Sequence, residues 1–276
     1  KLSRIEHSAL VAIAIVISQA LSAKFSGGSF SISYASLFPA LGPFFITAGA
    51  FILNDYFGFE TDRLNGRKDR PLVGGRIGKE IALRAAVFLM CLGLLLSLFV
   101  NFNCFAIAVV FAFLSAIYDK VLKPLPLVGN VFIASSMAIS FIYGNFAVVN
   151  ELQPIILLFV GISFFAGIGR ELIITLRDVE GDGKIGAKTL PMILGPKNTI
   201  LLAALLFGIA IMLSWQPMQM QYVSPYAFLI YANNLLLIKS LLLLANKQDG
   251  KNFKKARNYT LAAILLGLLA FGVLSL

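Results

Sequence analysis

Nine apolar runs, at about 8–23, 36–56, 81–100, 103–118, 129–149, 153–176, 199–214, 225–244 and 259–276, constrain this chain more than any other feature. A helix that crosses the hydrocarbon core of a bilayer needs about 20 predominantly apolar residues, in a range of roughly 17–25. Most of the runs meet that length. The first, seventh and ninth are short or at the chain end, so eight spans also satisfy the pattern. Composition agrees: hydrophobic residues make up 59% of the chain and charged residues 13%, with a mean hydropathy of +0.87. Soluble domains are about 45–50% apolar and about 25% charged. The expected fold class is therefore all-α, a polytopic transmembrane helical bundle of about nine helices. Length alone would divide 276 residues into two domains. A membrane bundle takes its core dimension from the bilayer instead, so a single domain over 1–276 is expected. Cys91 and Cys104 lie inside apolar runs without metal-ligand spacing and read as small packing residues.

The net charge of +10 does not point to nucleic acid, because no soluble basic face is present to bind it. Its distribution points to orientation. With the N-terminus inside, the inner segments hold nineteen of the 23 Lys and Arg, Lys24 alone lies outside, and Arg84, Arg170 and Lys239 fall within helices. Cytoplasmic loops of membrane proteins carry such an excess of Lys and Arg. Solvation of loop charges explains why they avoid the helices and leaves their confinement to one side unexplained. The last inner loop, "NKQDGKNFKKARN" (Asn246–Asn258), is basic and nearly free of acids, which suits anionic lipid headgroups.

Two inner segments mix charges of both signs. After the second run, "NDYFGFETDRLNGRKDRPLVGGR" interleaves Asp55, Glu60, Asp62 and Asp69 with Arg63, Arg67, Lys68, Arg70 and Arg76. If the helix continues to Asp62, its rotation of about 100° per residue puts Asn54, Asp55 and Asp62 on one face. The sixth run ends "GRELIITLRDVEGDGKIGAKTLP", where Asp178 and Asp182 are four apart and so one turn apart on one face. Glu171, seven residues before Asp178, lies on that side too. Oxygen ligands without paired His or Cys indicate a hard cation. Mg²⁺ keeps several waters and is held through one or two carboxylates plus substrate phosphates. Asn54, Asp55, Asp62, Asp178 and Asp182 are the candidate metal ligands, and Arg67, Lys68, Arg70, Lys120, Lys123, Lys184 and Lys188 the candidate phosphate partners. The plainer alternative is that helix ends carry charge for solubility and anchoring. Two acidic clusters on the basic side, at matching ends of two helices, favour a site.

These stretches carry a family resemblance. "NDYFGFETDRLNGRKDRPLVGGRI" resembles the first Asp-rich motif of the UbiA superfamily of intramembrane prenyltransferases, and "RDVEGDGKIGAKTLP" its second. Between them "YDKVLKPLPLVGN" is similar to the family's Tyr-to-Lys loop, carried by Tyr118 and Lys123. The motifs stand in family order, and the likeness spans about residues 4–276. The resemblance implies nine transmembrane helices around a central cavity, open laterally to lipid and capped by cytoplasmic polar loops. It implies Mg²⁺-dependent transfer of a prenyl group from its diphosphate to an acceptor. Asn54 and Asp62 map to the first motif and Asp178 and Asp182 to the second. Asp62, Asp178, Asp182, Tyr118 and Lys123 are then the expected catalytic set. The chain departs from the family at Gly58, which stands where the pattern NDxxDxxxD has its middle Asp. The first motif must therefore rely on Asn54, Asp62 and Asp55.

The expected chemistry suits a membrane. Breaking an allylic C–O bond leaves negative charge on diphosphate and positive charge on carbon. Cations stabilise the first, and a dry cavity protects the second. Aromatic faces stabilise carbocations, and Tyr118 and Tyr143 are the candidates named for that. Arg170, Glu171 and Lys239 are ionisable residues inside apolar runs and so functional candidates, although Lys239 also fits a snorkelling role. His7, the single histidine, reads as an interfacial side chain or an acceptor contact. The motifs most resemble archaeal enzymes that transfer geranylgeranyl to geranylgeranylglyceryl phosphate in ether-lipid synthesis. "RIEHS" (Arg4–Ser8) is closer to members that prenylate quinone precursors such as 4-hydroxybenzoate or a naphthoate. A transporter would place its charges near the midplane on broken helices; here they sit at one interface. The expected partners are a polyprenyl diphosphate, geranylgeranyl diphosphate first, a lipophilic acceptor and membrane lipids.

Overall fold

A computed structural model describes residues 4–64, 66–184, 188–220 and 224–276, with side chains for all of these except 180–182, 184 and 220. The described residues form helices joined by short turns, with no strand among them. In chain order these are α1 (Ile5–Phe25), α2 (Tyr34–Phe57), α3 (Phe59–Leu64), α4 (Lys79–Leu98) and α5 (Phe102–Ile117). A π-helical turn, Tyr118–Leu122, follows directly. Then come α6 (Val128–Phe146), α7 (Pro154–Lys184), α8 (Leu190–Ser214), α9 (Gln216–Met220), α10 (Ser224–Asn246) and α11 (Gly250–Ser275).

Eight helical segments among the described residues are long and apolar enough to cross a membrane, and the protein is an integral, multi-pass membrane protein. The ninth expected run is α6, a 19-residue helix diluted by Asn130, Ser135, Ser136, Ser140 and Asn145. Large apolar side chains stand exposed along the spans, among them Phe88, Phe113, Leu205, Phe228 and Leu242. Lipid is the solvent that tolerates such a surface.

Three boundaries differ from the sequence expectation. α7 does not stop at 176; it runs 31 residues to Lys184, because no Pro or Gly cap interrupts it before the second acidic motif. α8 starts at Leu190, and Gly195 (φ 75°, ψ 164°) ahead of Pro196 breaks it in its first turns. That positive φ is cheap only for glycine. α11 starts at Gly250, where the Asp249 side chain accepts from the Asn252 N–H at 2.8 Å as an N-cap. The basic segment before 259 is thus largely helical.

The chain divides into two compact units, Lys1–Pro124 with Ser140–Leu152, and Leu125–Ile139 with Gln153–Leu276. In the first, α2 packs on α4 and α1, with α5 alongside. Glycines let α2 and α4 approach closely. A Cβ at Gly93 would meet the Gly42 carbonyl at 2.5 Å and the Ile46 nitrogen at 3.0 Å, and one at Gly49 would meet the Ala86 carbonyl at 2.8 Å. Small residues serve helix packing in membranes because lipid is as apolar as the helix surface. Hydroxyls add directed bonds: Ser18 Oγ to the Phe141 carbonyl at 2.5 Å, Ser22 Oγ to Asn145 Oδ1 at 3.0 Å and Tyr143 OH to Ser97 Oγ at 3.0 Å.

In the second unit α7 packs on α8 and α11, and α10 on α11 and α8. Its core holds Leu172, Ile173, Phe207, Leu237 and Leu244, with Gly169 admitting the Phe207 ring. Asn234 Nδ2 donates to Ser214 Oγ at 3.3 Å, and Tyr226 OH to the Ser214 carbonyl at 2.8 Å.

The packing sets an expectation. Gly93→Val should destabilise the protein by about 1–3 kcal/mol, the range for overpacking a filled site, measured by thermal unfolding in detergent. Gly208 on α8 has nothing within 4 Å of a built Cβ, so Gly208→Ala should be neutral or stabilising by up to about 1 kcal/mol.

Candidate active site

The first acidic motif begins at the end of α2 and lies within the first unit. α2 does not continue through Asp62 as the sequence pattern suggests. It stops at Phe57, the Gly58 N–H donates to the Asn54 carbonyl at 2.9 Å, and a separate short helix starts at Phe59. A Cβ at Gly58 would stand 2.9 Å from the Asn54 carbonyl oxygen, so any larger residue requires the backbone to move. The missing middle Asp therefore coincides with a point where a Cβ would crowd the Asn54 carbonyl.

Across that break, Asp55 and Asp62 are joined by Arg70. Arg70 Nη1 donates to Asp55 Oδ1 at 2.6 Å, and its Nε lies 3.5 Å from Asp62 Oδ2. Arg67 Nη1 donates to Asp62 Oδ1 at 3.3 Å. The loop that presents these arginines is folded by local bonds: the Arg67 N–H to the Asp62 carbonyl, the Gly74 N–H to the Arg70 carbonyl, and left-handed glycines at 66 and 75. Leu72, 5% exposed, anchors it in the core of the unit.

Two further side chains reach this cluster that the pattern of acids did not nominate. Arg4, at the start of α1 with φ 41°, donates from Nη2 to Asp55 Oδ1 at 3.1 Å. Its guanidinium also stands 4.8 Å from the centre of the Phe51 ring. Burial, and then Arg70, lower Arg4's hold on its proton, while Asp55 opposes them. An arginine stays charged through such a shift. Asp119, on the π-helical turn, accepts from Asn54 Nδ2 at 2.9 Å and lies 3.5 Å from Lys123 Nζ, with its side chain 7% exposed. The available signal was an acid at the end of an apolar run, which is rare enough in membrane helices to mark a site by itself.

The other expected residues fall as follows. Tyr118 is half-buried on the same turn, and its carbonyl accepts from the Lys123 N–H at 2.8 Å. Lys120 is exposed and sits over the Phe57 ring at 4.7 Å rather than beside an acid. Lys68 is exposed. His7 meets Phe51 edge to face, with ring centroids 5.2 Å apart. Tyr143 is 2% exposed, packed in the core of the first unit with its hydroxyl on Ser97.

The second motif lies in the second unit. Arg177 clamps Asp178 through Nε and Nη2, both at 2.6 Å, the bidentate geometry in which a guanidinium matches a carboxylate. Two turns earlier on α7, Arg170 Nη1 donates to Glu171 Oε1 at 2.8 Å. The Glu171 backbone carbonyl accepts from Thr175 Oγ1, which in turn accepts from Asn130 Nδ2, both at 2.8 Å. α7 carries Asp178 and Asp182 four residues apart on one helix. The side chains of Asp182 and Lys184 lie outside the described residues. Lys188 is exposed just before α8, and Lys239 lies 5.0 Å from the centre of the Tyr259 ring.

A hard cation fits the first motif. Its donors are all oxygens, and Asp55 Oδ2 is buried with no hydrogen-bond partner. Among the described residues no three His, Cys, Asp or Glu side chains form a ready-made metal cage. The carboxylates of the first motif point at arginines instead. Mg²⁺ needs only one or two carboxylates of the protein, since water and substrate phosphate complete its shell.

Comparisons with known proteins agree on one family. Residues 9–264 match the UbiA prenyltransferase family. The chain is 32% identical over 274 residues to the digeranylgeranylglyceryl phosphate synthase of Archaeoglobus fulgidus, covering 98% of this chain and 92% of that one. A solved structure concerned with digeranylgeranylglyceryl phosphate synthase in membranes matches at a TM-score of 0.78 and 29% identity, over 99% of this chain and 96% of that chain. A UbiA homologue from Archaeoglobus fulgidus, solved with GPP and Mg²⁺, has the same fold at a TM-score of 0.65 and 19% identity, over 98% of each chain.

The crowding at Gly58 is testable. Gly58→Asp should lower stability by about 1–3 kcal/mol, as expected for a side chain forced against fixed backbone, read from thermal unfolding. It should also fail to strengthen divalent-cation binding, because the added carboxylate displaces the Asn54 turn.

Proposed function

Because this chain belongs to the UbiA prenyltransferase family, we propose that it transfers a geranylgeranyl group from geranylgeranyl diphosphate to geranylgeranylglyceryl phosphate, forming an ether bond of a membrane lipid. The likeness that carries this reading is to digeranylgeranylglyceryl phosphate synthases, which spans nearly the whole chain. In the reaction the allylic C–O bond to diphosphate breaks, the acceptor hydroxyl forms a new C–O bond at that carbon, and the hydroxyl proton leaves.

The chain's own residues supply three things. Arg67, Lys68, Arg70, Lys120 and Lys123 of the first unit provide positive charge for the leaving diphosphate, and Lys184 and Lys188 do so in the second. Such groups lower the barrier as negative charge develops, because they are already in place. In the first unit Asn54, Asp55 and Asp62 provide oxygen donors suited to Mg²⁺, and in the second unit Asp178 and Asp182 do. Bound there, Mg²⁺ supplies Lewis-acid neutralisation of the phosphate oxygens. The apolar spans dissolve the prenyl tail and keep water from the developing carbocation. Tyr118 lies beside these groups on the π-helical turn. The excess of Lys and Arg in the inner segments supports a cytoplasmic placement of the polar groups.

Purified protein given Mg²⁺, geranylgeranyl diphosphate and geranylgeranylglyceryl phosphate should release diphosphate and form the doubly prenylated product, detected by mass spectrometry. EDTA should stop turnover and Mg²⁺ restore it. Asp62→Ala and Asp178→Ala should each lower kcat/KM by at least about a hundredfold, the effect of removing one preorganised charge-stabilising group. Product with 4-hydroxybenzoate or a naphthoate and none with the glyceryl phosphate would move the acceptor to the quinone-precursor class. No diphosphate release with any acceptor would overturn the enzyme reading.

A further inference from the structure

Asp119 has no part in the chemistry above, yet it touches two residues that do. Its Oδ1 accepts from Asn54 Nδ2 at 2.9 Å and lies 3.5 Å from Lys123 Nζ. A carboxylate oxygen can only accept, so Asn54 has to turn its NH₂ group toward Asp119. Rotating the amide by a half-turn would set two oxygens against each other at hydrogen-bond distance. Asn54 Oδ1 is therefore directed away from Asp119, and it takes up the role of oxygen donor in one orientation only.

Lys123 is held by the same carboxylate. The Lys123 N–H closes the π-helical turn on the Tyr118 carbonyl at 2.8 Å, so Tyr118, Asp119 and Lys123 form one short piece of structure. That piece meets α2 at Asn54, four residues before Gly58. The end of α2 lacks a carboxylate at position 58, where a Cβ would press on the Asn54 carbonyl. Asp119 brings a carboxylate to the same helix end from a different part of the chain.

We propose that Asp119 is the positioning residue of the first motif, orienting the Asn54 amide so that its oxygen faces the divalent cation and holding the Lys123 ammonium ready for the diphosphate. The proposal rests on the reading of this chain as a Mg²⁺-dependent prenyltransferase. Groups that orient a metal ligand by hydrogen bonding commonly govern metal affinity nearly as strongly as the ligands do.

The test is Mn²⁺ binding to the full chain in nanodiscs, followed by electron paramagnetic resonance with the unreactive S-thiolo analogue of geranylgeranyl diphosphate present. Asp119→Asn keeps the shape of the side chain but lets the Asn54 amide sit either way round. It should weaken Mn²⁺ binding by about 10–100-fold, and raise the half-saturating Mg²⁺ concentration in turnover more than it lowers kcat at saturating Mg²⁺. The reversed pair, Asn54→Asp with Asp119→Asn, restores one donor facing one acceptor and an oxygen directed away from it. It should recover most of the lost affinity, which a merely structural role for Asp119 would not predict. Unchanged Mn²⁺ affinity in Asp119→Asn, or a loss that the reversed pair fails to repair, overturns the proposal while leaving the enzyme reading intact. No Mn²⁺ binding by the parent protein overturns both.

Discussion

The buried carboxylate of Asp55 is the interaction on which the first half of the site depends. Its side chain is 2% exposed, and one oxygen is shared by Arg70 at 2.6 Å and Arg4 at 3.1 Å. A charge removed from water is tolerated only where opposite charge and hydrogen bonds replace its hydration. Satisfying Asp55 therefore obliges three separated pieces of chain to meet: the start of α1, the end of α2 and the loop before α4. From Arg70 the alternation continues to Asp62 and on to Arg67. The mixed charge of this stretch is a chain of counter-ions, two carboxylates alternating with three guanidiniums. The same groups hold both signs that a divalent cation and a diphosphate require.

That cluster has a firm base because α2 is tightly seated. Its two internal prolines, Pro39 and Pro43, each remove a backbone donor, and membrane helices accept such breaks where neighbouring helices resatisfy the backbone. Gln19 Nε2 donates to the Ser36 carbonyl at 3.0 Å near them. The Gly42, Gly49 and Gly93 contacts bring α2 and α4 to backbone distance. Asn54 and Asp55 are thus carried by a helix held along its length, while the arginines arrive on a loop pinned by Leu72. Rigid donors and a shorter, locally folded loop suit a site that must hold charge in place before substrate arrives.

The reading of Gly58 changes with the structure. In the sequence it is an acid missing from a repeated pattern. In three dimensions it is the C-cap of α2, where a Cβ would crowd the Asn54 carbonyl. Asp119, 65 positions from Asn54, brings a carboxylate to that residue at the helix end. Asp178 differs again, since the residue next to it, Arg177, occupies both its oxygens, a pairing that the sequence places side by side in plain view.

What the sequence determined by itself were the features whose physics is local or set by the solvent. Bilayer thickness dictates span length, so α2, α4 and α10 could be read within a few residues, though not the end of α7 or the starts of α8 and α11, and the crowding of acids and bases marked the polar ends. It also carried the short-range signals, the oxygen-only donor set and the Tyr118–Lys123 loop. Only the tertiary structure decided which charges pair. Arg4 with Asp55 and Asn54 with Asp119 are contacts across 51 and 65 positions, and no periodicity encodes them. It also decided that α2 ends at Phe57 with Gly58 as its C-cap, where local spacing allowed the helix to run on. Pairing is a matter of which groups packing brings within hydrogen-bond distance, and packing is a property of the whole fold rather than of any run of residues.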